Sequence, residues 1–303
     1  MSKPKIIVRS YKRSHLIQER TLRVLGNQKD IDLSSQLYIV VHKSEVGEYE
    51  KALQDFPKAG FIVKKEKGGH KSIEAARRFF AEGEKLLFLD DDIPEITHYV
   101  GQPSAEAGEP LDCLGRYMDD AFSTLDRIGA ASWTVKFLSN LLWMSKKPWK
   151  QFRPHHMSGN FWGAYNSDLF LTDWAHEDDF LRCARYIEEY GGTLVYNWFT
   201  SKGNDDILPG GMQSSGDRGE NILERTKEIC DEIWESDALY RKYCYPPSLQ
   251  AYRGVYTSKL RPISSIRKIR PHKTTSWSGY FQEKPDSSET DAVEKSFNQI
   301  FGV

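Results

Sequence analysis

Four short apolar runs in the first 90 residues, each followed by a helix-length stretch or a polar turn, most constrain what this chain can fold into. They are Lys5–Arg9 (KIIVR), Gln36–His42 (QLYIVVH), Gly60–Lys64 (GFIVK) and Lys85–Leu89 (KLLFL). Runs this short and continuously apolar suit strands buried on both faces, and helices between them make the connections crossovers. Ser14 can cap a helix to about Leu25, and a second helix is expected around Gly47–Gln54. A third is expected from the Gly-rich turn Lys67–Ser72 to about Glu82. The expected class is therefore α/β, a Rossmann-type, mainly parallel sheet flanked by helices. Ligands on such sheets bind outside the carboxyl ends of the strands, and KLLFL runs directly into Asp90-Asp91-Asp92.

Beyond a polar Gly/Pro stretch (101–110), the spacing predicts a helix over Leu111–Arg127 and a strand near Ala130–Val135. Ser158–Asn166 (SGNFWGAYN) reads as a strand or hairpin. His176–Tyr190 has an apolar face of Phe180, Cys183, Ala184 and Ile187, and Gly191-Gly192 stop it before a strand at Thr193–Trp198. A Gly-rich loop (Asn204–Gly219) and an amphipathic helix (about Glu220–Tyr243) follow. The expected division is one catalytic domain over 1–250, then a basic C-terminal extension and acidic tail over 251–303.

With 39% hydrophobic and 13% aromatic residues, the chain can form a core, which argues against disorder. No apolar run approaches the ~18 residues of a membrane span, and the N-terminus does not read as a secretory signal. The four cysteines, Cys113, Cys183, Cys230 and Cys244, show no CxxC pairing. Free thiols in the cytoplasm are expected, rather than disulfides or structural zinc.

The net charge of -1 conceals segregation. Residues 1–80 carry 17 bases and 9 acids, whereas 81–120 carry 2 bases and 11 acids. Ile128–Ser167 contains no acid, and its bases Lys136, Lys146, Lys147, Lys150 and Arg153 alternate with Trp133, Phe137, Trp143, Trp149, Phe152, Phe161 and Trp162. Ala251–Thr275 contains seven bases and no acid, among them Arg267, Lys268 and Arg270. Bases interleaved with aromatics suit a phosphate backbone and stacked bases, so Lys146, Lys147, Lys150, Arg153, Arg267, Lys268 and Arg270 are candidate nucleic-acid contacts. The competing reading is that the aromatics fill the core and the lysines only solvate the surface.

Three adjacent carboxylates repel one another unless a cation neutralises them. Oxygen ligands suit Mg²⁺ or Mn²⁺, and these ions suit a diphosphate, so Asp90 and Asp92 are the candidate metal ligands. A solvated acidic loop is the alternative, disfavoured by the position directly after a buried strand. His155, His156 and His272 are further candidates for a metal or phosphate contact. The loop Pro209–Ser215 can either close over a ligand or simply connect elements.

The strand–Ser10-Tyr11-Lys12-Arg13–helix order, the Gly/Lys/Ser turn with Arg77 ahead, and the strand–DDD junction resemble the nucleotide-binding half of GT-A glycosyltransferases. The resemblance implies a UDP-sugar donor whose diphosphate is held through the metal. Ser10, Tyr11 and Arg13 then lie where base and ribose dock, Lys71 and Arg77 near the diphosphate, and Asp90 and Asp91 among the donor contacts. SGNFWGA followed by His176-Glu177-Asp178-Asp179 is similar to the acceptor side of these enzymes. Asp178, or Glu177, is then the candidate base in an inverting reaction, or an acceptor-positioning group in a retaining one. Ordinary helix capping is the competing reading of these acids.

The run SYKR, VVH-E-Y, FLDDD, GNFWGA, HEDDF-GG and the later PGG loop is similar to the phage TET-associated DNA glycosyltransferases. That likeness implies a DNA acceptor, 5-hydroxymethylcytosine or another hydroxymethylpyrimidine, and the host cytoplasm as location. No membrane and no obligate protein partner is expected. Transfer to a polysaccharide, lipid or protein, and a non-enzymatic nucleic-acid-binding protein, remain alternatives. A nucleotidyltransferase is less consistent, because Lys67–Ser72 comes late in the chain for its phosphate loop.

Overall fold

The computed structural model describes residues 2–54, 59–99, 103–104, 108–136, 141–157, 159–174, 177–202, 222–250, 255–257 and 259–261. The four expected strands form as β1 (Lys5–Arg9), β2 (Leu37–His42), β3 (Gly60–Lys64) and β4 (Lys85–Asp90). The remainder of the sheet is β5 (Glu95–Tyr99), β6 (Gly108–Pro110), β7 (Ser132–Lys136), β8 (Lys150–Arg153), β9 (Phe161–Tyr165) and β10 (Thr193–Lys202). Its order is β3-β2-β1-β4-β9-β7-β10-β5-β6, with β8 also paired to β10. The β1–β2, β2–β3, β1–β4 and β7–β10 pairs are parallel. Strands β5, β8 and β9 run against the others. The sheet is thus mixed, with most strands pointing one way, as the sequence led us to expect.

Helices cover both faces. They are α1 (Ser14–Ile17), which continues through a π-helical turn at Gln18–Leu22 into α2 (Arg23–Gly26), then α3 (Leu33–Gln36), α4 (Val46–Ala52) and α5 (Gly69–Phe79). Next come α6 (Leu114–Ile128), α7 (Leu141–Met144), α8 (Asp178–Tyr190), α9 (Ile222–Ser236) and α10 (Ala238–Tyr243). The side-chain alternation of the strands explains why both faces must be covered. Ile6, Val8, Ile39, Val41, Leu87 and Leu89 join one core with Ile17, Leu22, Tyr49 and Phe122. Ile7, Val40, Leu86 and Phe88 join the other with Ile73, Ala76, Cys183 and Tyr186.

Boundaries moved where single residues intervene. Gly129 takes the left-handed conformation (φ 65°) and ends α6. The helix expected over Glu220–Tyr243 is two helices, because the Asp237 carboxylate accepts from the Tyr240 N–H (2.8 Å) and starts α10 afresh. Of 251–303 only 255–257 and 259–261 are described, and Val255–Thr257 (β12) pairs with Ser248–Gln250 (β11). Among the described residues no helix is long and apolar enough to cross a membrane.

Gly163 in β9 makes room for Trp133, which is wholly buried against Phe122, Phe161 and Tyr196. A Cβ at Gly163 would stand 2.1 Å from the indole Nε1. Gly163→Ala is expected to destabilise the fold by about 2–3 kcal/mol, read as a lower urea midpoint with unchanged slope. A midpoint within error of wild type would show that Trp133 can shift freely.

Candidate functional site

From β1 the chain steps outward to β2 and β3, then returns to β4 on the opposite side of β1. The carboxyl ends of β1 and β4 therefore flank a topological switch point, where open α/β sheets form their ligand crevice. One wall is the loop Ser10–Arg13 and the other is Asp90–Asp92.

The first wall is fastened by α4. The Lys12 N–H donates to Glu45 (2.9 Å) and the Arg13 N–H donates to the Tyr49 hydroxyl (3.1 Å). These bonds hold Lys12 in the left-handed conformation, φ 54°, which a non-glycine residue adopts only when its surroundings fix it. Tyr11 meets the His42 ring edge-on (centroids 6.1 Å apart), while His42 bonds Ser44 Oγ (2.7 Å) and the Lys65 carbonyl (2.8 Å). Tyr11 and His42 form an aromatic corner at the ends of β1 and β2.

The three carboxylates divide their roles. Asp91, only 3% exposed, accepts from Ser10 Oγ (2.5 Å) and Arg13 Nη1 (3.0 Å). Asp92 accepts from the same Arg13 nitrogen (2.9 Å). Asp90 pairs with Arg9, which also donates to the Gly159 carbonyl, and its side chain is the most accessible of the three at 35%. Burial, then repulsion from Asp90 and Asp91, pushes the Asp92 carboxyl up to about 7. Burial also raises Asp91, against the opposing pull of Arg13. Below this layer Thr21 Oγ1 donates to the Asp90 carbonyl (2.6 Å) and accepts from the Ile93 N–H (3.0 Å), fixing the turn after β4.

The start of α8 is the next element. The charge of Asp178 acts on Arg9, the partner of Asp90, and on His70 at the start of α5. Arg182, one helical turn on, donates to Asp178 (2.5 Å) and lies 4.3 Å above the Trp162 ring. Its side chain is entirely buried, with Nε and Nη1 lacking partners among the described residues. Glu177, in a left-handed conformation (φ 57°), is held by the Tyr240 hydroxyl on α10. Asp179 bonds His156 (2.8 Å), whose ring tilts against Phe180 (4.5 Å).

The structure gathers Ser10, Arg13, Asp90, Asp91 and Asp92 at the ends of β1 and β4, with Tyr11 beside them at the His42 ring and the Asp178 charge acting on Arg9. Arg13 turns inward as the counter-ion of Asp91 and Asp92, and Ser10 turns inward to Asp91, so neither side chain faces outward as a base or ribose contact would. Lys71 is in the first turn of α5, engaged with Glu74 (2.8 Å). Arg77 is a correction: two turns further on, about 9 Å along the helix axis from Lys71, it pairs with Asp168 (2.8 Å) and Glu82 (3.3 Å). That end of α5 points toward the opposite edge of the sheet.

The expected aromatic platform is corrected as well. Trp133, Trp149, Phe152, Phe161 and Trp162 are core residues, at most 4% exposed. Lys150 is not a free surface base: it donates to Asp120 (2.8 Å) and Thr124 (3.0 Å) and lies over Trp149. Lys150→Met is expected to lower stability by about 3 kcal/mol, since it leaves the largely buried Asp120 carboxylate without its cation and with the Tyr196 hydroxyl as its remaining donor, while DNA affinity stays unchanged. A thermal melt beside a DNA titration checks this; weaker DNA binding with an unchanged melt would contradict it. Lys146 is exposed, and Lys147 and Arg153 are half-buried. Arg267, Lys268, Arg270, His272, Phe137 and the loop Pro209–Ser215 lie outside the described residues.

Arg9, Thr21 and Arg182 were not singled out from the sequence; His42, Glu45 and Tyr49 lie within the VVH-E-Y run and His70 within the Lys67–Ser72 turn, none with a role of its own. Arg9 carried a usable signal, as a cation ending an apolar strand. For a metal, Asp90 and Asp92 offer the hard oxygen donors that Mg²⁺ or Mn²⁺ prefers, and the raised Asp92 carboxyl marks a charge deficit a cation would relieve. Among the described residues no three His, Cys, Asp or Glu side chains converge as a complete ligand set. Asp90 and Asp92, paired here with Arg9 and Arg13, are the residues that would hold an ion, and its remaining ligands would have to come from a bound diphosphate and water.

No protein-family model matches the chain. No curated protein matches it either. Among solved structures, the TarS fragment 1–349 of S. aureus is 15% identical, with a TM-score of 0.44, over 78% of this chain and 66% of its own. The chain thus spans just under two thirds of that fragment. A mannosyltransferase from Pyrobaculum calidifontis in complex with GDP-Man and Mn²⁺ is 13% identical, with a TM-score of 0.47, over 99% of this chain and 76% of its own. A CMP:2-keto-3-deoxy-manno-octonic acid synthetase complexed with CTP is 11% identical, with a TM-score of 0.37, over 66% of this chain and 89% of its own. Likenesses this distant say nothing about chemistry.

Proposed function

We propose that this chain is a glycosyltransferase that moves a sugar from a UDP-sugar to a hydroxymethylpyrimidine, 5-hydroxymethylcytosine first, in DNA. The observation that supports the transferase reading is the meeting of Asp90 and Asp92 with the Tyr11–His42 corner at one switch point; Asp178, whose charge acts on Arg9, is taken to stand on the other side. Uridine as the donor base and DNA as the acceptor are supported by the sequence resemblance.

In this reading Tyr11 offers its ring to the nucleobase, and the loop fastened by Glu45 and Tyr49 holds that ring in place. Mn²⁺ or Mg²⁺ at Asp90 and Asp92, when bound, supplies Lewis acidity toward the leaving diphosphate. Asp178 accepts the proton of the acceptor hydroxymethyl group as its oxygen bonds to the sugar's anomeric carbon. The bond from that carbon to the diphosphate breaks, and its electron pair leaves with UDP. Arg182 holds the Asp178 carboxylate in place from within the core. The acceptor base must be extruded from a duplex or presented in a single strand.

The test is mass spectrometry of DNA containing 5-hydroxymethylcytosine after incubation with a panel of UDP-sugars, in Mn²⁺ or EDTA. One sugar mass added per modified base, absent in EDTA, is the expected result. Metal-dependent UDP-sugar hydrolysis without DNA modification would move the acceptor to a polysaccharide or protein. Neither activity would overturn the transferase reading.

A further inference from the structure

A group of bases that has no counter-ion among the described residues lies at the end of β7. Lys136 ends β7, and the Lys136 ammonium donates to His155 Nε2 (3.3 Å). Arg153 is close enough for its charge to act on both. Among the described residues the buried Arg153 Nε has no acceptor, and the buried Thr200 hydroxyl, opposite Lys136 in the β7–β10 register, has no partner. Among the described residues no carboxylate pairs with Lys136, Arg153 or His155, whereas Lys150 has Asp120 and His156 has Asp179.

Such an arrangement is unfavourable. Burial, then Arg153 and Lys147, brings the Lys136 amine down to about 8, and burial with the surrounding cations lowers His155 well below its ordinary value. An anion would relieve both effects.

The sheet register places the Lys136 end of the group; Arg153 pairs with Thr193 at the start of β10 and acts on Lys136 through its side-chain charge. Phe88 and Thr134 both pair with Trp162 of β9, so Asp90 and Lys136, each two residues further on, are level on one edge of the sheet. Two strand spacings separate them, roughly 10 Å. The cluster is on the side of Asp90 away from the Tyr11–His42 corner, which is the acceptor side if the nucleotide occupies that corner.

We propose that Lys136, Arg153 and His155 form a cradle for a backbone phosphodiester of the acceptor strand, next to the nucleotide being modified. The proposal rests on the reading of this crevice as a DNA glycosyltransferase site. It also gives base contacts to a segment whose aromatics are buried: the phosphate is held here, and no stacking platform is needed.

The experiment compares wild type, Lys136→Gln, Arg153→Gln and Lys136→Arg. Each is titrated with a fluorescent single-stranded oligodeoxynucleotide at several salt concentrations, and separately with UDP in Mn²⁺. The Gln variants are expected to lose about tenfold in oligonucleotide affinity at low salt, with a salt slope smaller by about one ion. Lys136→Arg retains most of the affinity, and UDP binding is unchanged in all four, which shows that the fold is intact. Weakened UDP binding in the Gln variants would assign the cradle to the donor diphosphate and overturn the proposal. So would unchanged oligonucleotide affinity, or a wild-type protein that does not bind the oligonucleotide. Absence of UDP binding in wild type would overturn the transferase reading alone, since the oligonucleotide arm reads the cradle separately.

Discussion

Asp92→Asn is expected to reduce sugar transfer by about 10³-fold or more, because it removes half of the carboxylate pair available to a metal at the leaving diphosphate. The fold should survive, and in metal-free buffer it should gain stability. The Asp92 carboxyl stands near 7 in the folded protein, above its ordinary value of 3.8. A raised acid favours the folded state while it is protonated. Its contribution is therefore complete below about pH 4 and is lost as the pH rises through 7. Metal-free wild type should lose stability over that window, with Asp91 adding to the loss in the same direction. Asp92→Asn should flatten the profile and melt higher than wild type at pH 8. Mn²⁺ should raise the wild-type melting temperature at pH 8 and leave that of Asp92→Asn unchanged. Wild-type activity in the variant, or an equal Mn²⁺ response in both proteins, would remove Asp92 from the metal site.

Asp178→Asn is the second large effect. An asparagine oxygen can still accept from Arg182, so the start of α8 is preserved, but the group can no longer take a proton. Turnover should fall by about 10²–10⁴-fold while UDP affinity stays within a factor of two, the split expected of a general base. Glu177→Gln should do much less to turnover, because the Glu177 carboxylate is committed to the Tyr240 hydroxyl on α10. Its effect should instead be a lower melting temperature. The reverse order of the two variants in turnover would exchange their roles.

The N-terminal part of the fold was legible because its signal is local. Ile6, Ile7, Val8 and Leu86–Leu89 are apolar without interruption, and only a strand covered on both faces accepts that pattern. β5, β6 and β8 were not legible. Ile96–Tyr99 mixes Thr and His among apolar residues, and all four are buried only because β10 runs past β7 to reach them. The acidic triplet was legible as a cluster, but its division of labour was not. Which carboxylate turns inward depends on Arg13 and Ser10, which meet Asp91 only because β1 and β4 are sheet neighbours more than 70 residues apart in sequence. Arg77 was misplaced for a related reason: helix direction, unlike helix presence, decides which edge of the sheet a residue serves. The aromatics of 128–167 were ambiguous, because the same spacing suits a stacking surface and a strand core. Gly163, which seats Trp133 in the interior, settles the matter for that residue.

The most direct measurement of the central claim is a calorimetric titration of UDP into the protein, in Mn²⁺ and again in EDTA. The account predicts saturable binding with Mn²⁺ that is lost in EDTA and in Asp92→Asn. Binding of equal strength with and without the metal, or no binding in either condition, would contradict it.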